Sequence, residues 1–343
     1  MLDGATENSR STPGLPSAMT AQVVSLLLLC SLIALLPLAR PSAQMVQLMT
    51  LAFIFSLPAI GLGLLYGEGG QMSVASGALY GVGAYVAAIG AREQLFSFWL
   101  ALPAAAVAGA LAAFLVGLTA LRVRGHYFLI VTFAFAELWR ITVTNLRTIT
   151  GGNQGILVLD DIAVPGIGDI QSLSALFYIA LAFAFLAGLA VVALRFSPFG
   201  LALRAIRENE RLAISLGLNA AMVRLCAFAV SGAIAGIGGV LYVYNVKHIG
   251  PDLFGAYAGI QVVLILLVGG ARSPVGPVIG SLIFFLTPEL IRLDPITTQI
   301  VYGLVLILIV LVSPQGLAPG FAYLTGRMYR LANRRPVSGG TTP

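Results

Sequence analysis

Charged residues are scarce in this chain of 343 residues. Lys, Arg, Asp and Glu together make up 9%, against the roughly 25% typical of soluble domains. Apolar residues make up 59%, while the 39 glycines and 17 prolines are too many for a coiled coil and follow no collagen period. The net charge of +6 is not gathered on a basic face with interleaved aromatic residues, as nucleic-acid binding would require. The composition therefore predicts a polytopic membrane protein with no nucleic-acid partner.

Reactive and metal-binding residue types are equally rare. Cys30 and Cys226 both lie in apolar runs, which excludes a disulfide framework or a cysteine zinc site. Lys247 is the one lysine and does not belong to a Gly-Lys-Ser/Thr phosphate loop. His126 and His248 fall in loops on opposite predicted sides of the membrane, so no Ser-His-Asp set can be assembled. We therefore expect a non-catalytic protein that needs no metal or other cofactor.

Apolar runs near the roughly 20 residues that cross a bilayer occur about ten times, and about eight to ten spans fit the sequence. Two of these runs are weak, because 72–91 is interrupted by glycines and 257–271 is short. Either could be re-entrant, which requires backbone that is buried in protein or lines a wet cavity. The predicted fold class is all-α, with spans at 20–39, 45–66, 72–91, 98–120, 126–144, 173–195, 223–245, 257–271, 274–292 and 296–313.

Basic residues indicate the orientation. With ten spans both termini lie on one side, and that side receives 13 of the 19 Lys and Arg residues. The positive-inside rule then places both termini in the cytoplasm. The opposite side receives Arg40, Arg92, Arg140, Arg147, Lys247 and Arg292.

Polar stretches divide the chain into a disordered N-terminus, a membrane domain and a basic cytoplasmic tail. A polar cytoplasmic loop and a polar outer loop interrupt the membrane domain. A cleaved signal peptide over 19–43 is an alternative for the first span, but clustered positive charge does not precede it. The predicted boundaries are 1–18 for the N-terminus, 19–318 for the membrane domain, 146–172 for the outer loop, 197–222 for the cytoplasmic loop and 319–343 for the tail.

Two carboxylate–arginine pairs lie near the outer ends of predicted spans. Glu137 and Arg140 are three residues apart, as are Glu289 and Arg292, so each pair shares a helix face. We expect both to be structural pairs whose arginine reaches toward the headgroups. A proton relay would need a carboxylate deeper in the membrane, and its absence from the sequence weakens the case for an ion-coupled secondary transporter.

The cytoplasmic loop has the pattern of an amphipathic helix. It begins at Ser197-Pro198 and places Leu203, Ile206 and Ile214 on an apolar side, and Gly217 would end the helix in a left-handed conformation. Such a helix between two spans suits a groove on a soluble partner, with an interfacial helix on anionic lipid as the alternative. Its charged side carries Arg204, Arg207, Glu208, Glu210 and Arg211.

The centre of this loop resembles the coupling loop of bacterial ABC importer permeases for branched-chain amino acids, the LivM type. Arg211-Leu212-Ala213-x-x-x-Gly217 is similar to the EAA-x-x-x-G motif with arginine in place of the acidic residue, and Arg207-Glu208-Asn209-Glu210 precedes it as in this branch. In the family this loop docks on the ATPase subunit. The residues that the resemblance assigns to coupling are Arg204, Ile206, Arg207, Glu208, Asn209, Glu210, Arg211, Ala213 and Gly217.

Further family motifs follow in order over about residues 60–318, and the order makes the resemblance specific. One departure lies in the first of them, where Ala75, Ser76 and Leu79 replace the usual Gly, His and Phe. The usual substrate is therefore in doubt. The matching stretches are Gly70-Gln71-Met72-Ser73, Gly81-Val82-Gly83-Ala84-Tyr85, Arg124-Gly125-His126-Tyr127-Phe128, Thr150-Gly151-Gly152-Asn153-Gln154-Gly155-Ile156, Gly269-Gly270, Gly276-Pro277-Val278-Ile279-Gly280, Pro288-Glu289 and Pro314-Gln315-Gly316-Leu317.

The resemblance implies a multi-pass subunit of a bacterial inner-membrane ABC importer. The substrate would be a branched-chain amino acid or a related small polar molecule, such as urea, a short amide or an aromatic acid. The implied partners are two ATP-binding cassette subunits, a sister permease, a periplasmic substrate-binding protein and membrane lipid. The alternative, a secondary transporter, predicts two similar halves and a buried ion site, and neither is found in the sequence.

Two further sets of residues are candidates for contact with substrate or with the binding protein. The residues that could contact substrate could instead serve helix packing through glycines and aromatic rings. The residues that could contact the binding protein could instead belong to a loop that is folded onto its own permease. The candidate path residues are Gly81, Gly83, Tyr85, Tyr127 and Thr132, and the candidate docking residues are Thr150, Gly151, Gly152, Asn153, Gln154 and Gly155.

Overall fold

The computed structural model describes residues 15–35, 42–95, 97–123, 125–158, 162–164, 168–170 and 173–291, together with single positions between 297 and 317. Helices make up most of this part of the chain, which confirms the all-α prediction. The helices are α1 (Leu15–Ala34), α2 (Ala43–Gly67), α3 (Ser76–Arg92), α4 (Phe98–Ala120), α5 (His126–Asn145), α6 (Arg147–Thr150), α7 (Leu173–Phe196), α8 (Pro198–Glu208), α9 (Glu210–Ser215), α10 (Ala220–Val246), α11 (Ala256–Gly269) and α12 (Gly276–Ile291).

Strands are short and confined to the loops that follow α5 and α10. Strand β1 (Ile156–Leu157) pairs antiparallel with β4 (His248–Ile249), and β2 (Ile162–Val164) pairs with β3 (Gly168–Ile170). In the first ladder Ile156 lies opposite Ile249, and both are buried. The β1–β4 pair therefore joins two loops that are distant in sequence and that were both predicted to lie on the outer side.

Helices α2 and α10 form the centre of the bundle. The most apolar stretch of α2 is 89% buried and that of α10 is 72% buried, against 44% for α7, 39% for α4 and 22% for α5. Helix α10 packs on α2, α3 and α4. Close approach depends on glycine, since a methyl group on Gly83 would collide with the Gly236 carbonyl of α10 and one on Gly232 with the Gly109 carbonyl of α4.

Five of the described helices are long and apolar enough to cross a bilayer: α2, α4, α5, α7 and α10. Three shorter apolar helices are Met19–Ala34, Ala256–Gly269 and Gly276–Glu289. Helix α3 has 17 residues, a rise of about 25 Å, which is less than the hydrocarbon core of a bilayer. The count of ten spans stays a prediction, because most of the predicted span 296–313 lies outside the described residues.

Two boundaries differ from the sequence-based expectation. Helix α1 begins at Leu15, so residues 15–18 are helical although they were predicted to be disordered, and Pro16 is tolerated in the first turn of a helix. The predicted span 72–91 becomes helical only at Ser76. Residues 1–14 and the predicted tail 319–343 lie outside the described part of the chain.

Candidate functional site

The predicted cytoplasmic loop contains two helices rather than the single one that the sequence pattern predicted. Helix α8 ends at Glu208 and α9 begins at Glu210, because the backbone of Asn209 is extended (φ −152°, ψ 96°). The Asn209 side-chain oxygen accepts a hydrogen bond from the Leu212 N–H at 3.1 Å. Asparagine is among the best N-caps and competes with helix continuation at this position. The prediction of one continuous helix was therefore wrong.

Gly217 ends α9 as predicted. Its φ of +88° is left-handed, a conformation that costs glycine little and other residues more. The Gly217 N–H donates to the Ile214 carbonyl at 2.9 Å, and the Leu218 N–H donates to the Ala213 carbonyl at 3.1 Å. These bonds satisfy carbonyls that the end of a helix leaves free. The glycine thereby fixes the direction in which the chain leaves α9.

The predicted apolar docking side is only partly available to a partner. Leu203 and Ile206 of α8 are fully buried, and Leu203 packs on Gly69 just beyond the end of α2. These two residues therefore pack within the permease itself, and in this structure neither is available for direct contact with a partner. Ile214 is exposed as expected, because the break at Asn209 ends the register of α8. The exposed apolar residues of α9 and its C-terminal cap are Leu212, Ile214 and Leu216.

The charged residues of the loop are also divided. Arg204 donates to Glu68 at 2.9 Å, and Arg207 donates to the Gly67 carbonyl, so α8 is tied to the end of α2. Glu210 accepts two hydrogen bonds from Arg224 of α10, at 2.8 and 3.1 Å, next to an open cavity of about 450 Å³ between α4, α9 and α10. The exposed charged residues are Arg207, Glu208 and Arg211, and the neutral Asn209 beside them is also exposed.

Glu68 is a site residue that the sequence analysis missed. Its carboxylate is buried, with Oε1 2.7 Å from Arg195 Nε and Oε2 2.9 Å from Arg204 Nη1. Arg195, also buried, donates to the carbonyl oxygens of Ala271 and Arg272 in the turn between α11 and α12. One signal could have pointed to Glu68, since it is an acidic residue placed between a long apolar run and Gly69-Gly70.

The five candidate path residues are not brought together. Gly81 and Gly83 sit at helix contacts, and Tyr85 is buried against Trp139 and Phe254 with ring centroids 6.3 and 5.9 Å apart. Tyr127 is 71% exposed at the start of α5, about 18 Å along that helix from Trp139.

Thr132 holds the backbone ahead of α3. Its buried hydroxyl accepts a hydrogen bond from the Val74 N–H at 3.1 Å and donates to the Leu129 carbonyl. Residues 70–75 are not helical, and backbone of this kind inside a membrane protein needs such partners. Thr132 therefore positions the stretch that carries the first family motif.

The Thr-Gly-Gly loop, predicted to lie on the outer side, is folded onto its own permease, which was the alternative considered for it. Thr150 is buried and its hydroxyl lies 2.6 Å from the Val143 carbonyl. A methyl group on Gly155 would collide with the Ile249 carbonyl. Left-handed φ angles occur at Gly151, Gly152 and Gly155, and the exposed members are Asn153 and Gln154.

The predicted outer ion pair of α5 is present. Arg140 Nε lies 2.9 Å from Glu137 Oε2, and Arg140 also contacts Asp252 at 3.2 Å. Glu137 accepts a hydrogen bond from the Ala256 N–H at the start of α11. Glu289 accepts a hydrogen bond from Gln44 at 2.8 Å. The Glu289–Arg292 pair stays a prediction, because residue 292 lies outside the described residues.

Buried central helices surrounded by apolar helices with exposed outer faces are the architecture of a multi-pass membrane protein. A family model described as branched-chain amino acid transport system / permease component matches residues 44–310. The chain belongs to this family, as the motifs indicated. Membership also agrees with the expectation of a transport subunit rather than an enzyme.

Individual relatives support the same assignment. The chain is 30% identical to the high-affinity branched-chain amino acid transport system permease protein LivM of Escherichia coli (strain K12) over 315 residues, which cover 84% of this chain and 74% of the relative. The LivM protein of Salmonella typhimurium is 30% identical over 296 residues, or 80% and 70% of the two chains. The LivH permease protein of E. coli K12 is 29% identical over 300 residues, or 80% of this chain and 94% of LivH. No solved structure matches significantly.

Proposed function

We propose that this chain is the permease subunit of an ATP-driven ABC importer and forms half of the path for branched-chain amino acids. The observation that carries the proposal is the cytoplasmic α9, which is held by a left-handed Gly217 and leaves apolar side chains exposed beside two spans. Such a surface suits a groove on a soluble ATPase. Inner-membrane localisation with cytoplasmic termini belongs to the same proposal.

The candidate coupling residues have two roles in this proposal. Glu208, Asn209 and Arg211 are exposed and would touch the ATPase together with the apolar residues of α9. The others would hold that surface in place, because each is buried, paired within the chain or needed for the end of a helix. This second set is Arg204, Ile206, Arg207, Glu210, Ala213 and Gly217.

Helix α5 would line the path opposite a sister permease. It is the most exposed of the five long apolar helices, at 22% buried, and yet the least apolar, with a mean hydropathy of 1.4 against 2.1 for α4. A helix that faced lipid alone would be expected to be more apolar. The exposed face of α5 includes His126, Tyr127, Thr142 and Asn145. Tyr127 is therefore retained as a path residue, whereas Gly81, Gly83, Tyr85 and Thr132 would support the wall from behind.

The substrate is proposed to be a branched-chain amino acid because the relatives are named as transporting one. Urea, short amides and aromatic acids stay in the proposal as alternatives, since Ala75, Ser76 and Leu79 depart from the family motif and are buried at the start of α3. On the outer side, the exposed Asn153 and Gln154 would contact the periplasmic binding protein.

Uptake by the reconstituted complex tests this function. Liposomes would contain this chain, a sister permease and two ATPase subunits, with the binding protein on the outer-loop side and labelled leucine, isoleucine or valine as substrate. We expect uptake that requires ATP on the side of α9 and that disappears when this chain is omitted. Uptake driven by a proton or sodium gradient without ATP would contradict the proposal and favour a secondary transporter.

A further inference from the structure

A buried carboxylate touches the cytoplasmic loop without belonging to its exposed surface. Glu68 follows α2 directly, and its side chain is 7% exposed. Its two oxygens have different partners, Arg195 at 2.7 Å and Arg204 at 2.9 Å. A buried charge is costly unless it is paired, so these contacts specify how the surrounding helix ends are arranged.

Arg195 extends the network to a fourth element. Its guanidinium donates to the carbonyl oxygens of Ala271 and Arg272, in the turn between α11 and α12. The same turn lies against α2, because a methyl group on Gly67 would be 2.5 Å from the Ala271 carbonyl oxygen. The inner ends of α2, α7 and the α11–α12 turn therefore meet around one carboxylate.

Helix α8 holds this junction from the cytoplasmic side. Arg207 donates to the Gly67 carbonyl, and its side chain packs on Gly70, which has a left-handed φ of +69°. Helix α8 is also fixed to α7, since a methyl group on Gly200 would collide with the Arg195 carbonyl. A displacement of α8 therefore acts on both ends of the Glu68 network.

We propose that Glu68 is a positioning residue for transport, the carboxylate through which α8 controls the inner end of α2 and the α11–α12 turn. This inference rests on the proposed function, in which an ATPase moves α9 and α8 with it. Pulling α8 away would separate Arg204 from Glu68. Residues 70–75 follow Glu68 directly and lead into α3, so the displacement would also reach α3.

Glu68→Gln tests the proposal because it keeps the shape of the side chain and removes its charge. The measurement is the amount of amino acid moved per ATP hydrolysed by the reconstituted complex. We expect the variant to assemble and hydrolyse ATP while this ratio falls about fivefold or more. Glu93→Gln is the matched control, since Glu93 pairs with Arg92 at 2.9 Å but is half exposed, and it should leave the ratio unchanged. Parallel loss of transport and hydrolysis at an unchanged ratio would mean a merely structural role and would overturn the proposal.

If the complex with Glu68→Gln does not assemble, variants of Arg204, the partner of Glu68, provide a second test. Arg204 is half-buried and makes one contact with the carboxylate, which lysine can replace. Arg204→Lys should keep the wild-type ratio and Arg204→Gln should lose it; equal behaviour of the two variants would overturn the proposal. A wild-type complex that transports no amino acid would overturn the proposed function together with this inference. A transporting wild type with unaffected variants would overturn the inference alone.

Discussion

The two helices of the predicted cytoplasmic loop differ in how they use their large apolar residues. Helix α8 buries Leu203 and Ile206 against the permease, whereas α9 leaves Ile214 and the following Leu216 exposed. Apolar periodicity alone therefore does not say whether a helix binds its own protein or a partner. Outside the membrane spans, apolar residues that stay exposed after folding are candidates for contact with a partner. In the proposed function, α8 therefore anchors the loop and α9 presents the docking surface.

The largest difference is expected between one substitution in α8 and one in α9. Ile206→Ala should lower the free energy of unfolding by about 2–5 kcal/mol, because it leaves a cavity under α8. Ile214→Ala should change it by less than about 0.5 kcal/mol, because the side chain is exposed, but should weaken ATPase binding by more than about 1 kcal/mol.

Thermal unfolding in detergent and a pull-down of the ATPase measure the two effects. Each variant serves as the control for the other. Equal loss of unfolding free energy at both positions would remove the distinction between an anchoring helix and a docking helix.

Removal of the ion pair between Glu210 of α9 and Arg224 of α10 should have the next largest effect. Glu210→Gln leaves Arg224, whose side chain is 11% exposed, without its carboxylate and should cost about 1–3 kcal/mol of unfolding free energy. The double variant Glu210→Gln/Arg224→Gln should cost less, because no buried charge is left unpaired. A double variant that is less stable than either single variant would contradict this interpretation of the pair.

A smaller effect is expected from the turn that ends α9. Gly217→Val should strain the left-handed backbone by about 1–2 kcal/mol and reduce substrate-stimulated ATP hydrolysis while the permease still inserts. Gly250→Val is the matched control, since both positions have open space around a methyl group but the φ of Gly250 is −129°, which valine adopts readily. Unimpaired stimulation in Gly217→Val would show that the turn has no part in coupling.

The smallest effect is expected at the exposed charges. Glu208→Gln and Arg211→Gln should each change the unfolding free energy and ATPase affinity by less than about 1 kcal/mol, because exposed charges interact weakly. Any effect should shrink further at high salt. A large, salt-independent loss of affinity would instead place these side chains in a desolvated contact with the ATPase.

The membrane helices are the part of the fold that the sequence predicts well. The predicted span 98–120 coincides with α4, and 173–195 ends one residue before α7 does. A bilayer requires a crossing chain to satisfy its backbone hydrogen bonds internally, so a long apolar run has few alternatives to a helix. The left-handed Gly217 was predictable for a similarly local reason.

The contacts that organise the candidate site were not predictable in this way. The break at Asn209 depends on a competition between an N-cap and helix continuation, and the apolar pattern of the loop does not decide it. Glu68 acquires its role from Arg204, which is 136 positions away in the chain. Contacts over such distances leave no periodic signal, and the apolar pattern of α8 gave no sign that Leu203 would pack near the end of α2 or that Ile206 would pack against Ala213 and Ala220.

Cross-linking from the end of α9 tests directly whether this helix contacts the ATPase subunit. Leu216, which is 74% exposed, would be replaced by cysteine in a chain whose Cys30 and Cys226 are changed to alanine. Leu115→Cys on the exposed apolar face of α4 is the control for a lipid-facing position. With a short bifunctional reagent and the assembled complex, the account predicts an adduct between residue 216 and the ATPase subunit and none from residue 115. An ATPase adduct from residue 115, or its absence from residue 216 in a complex that still transports, would contradict the account.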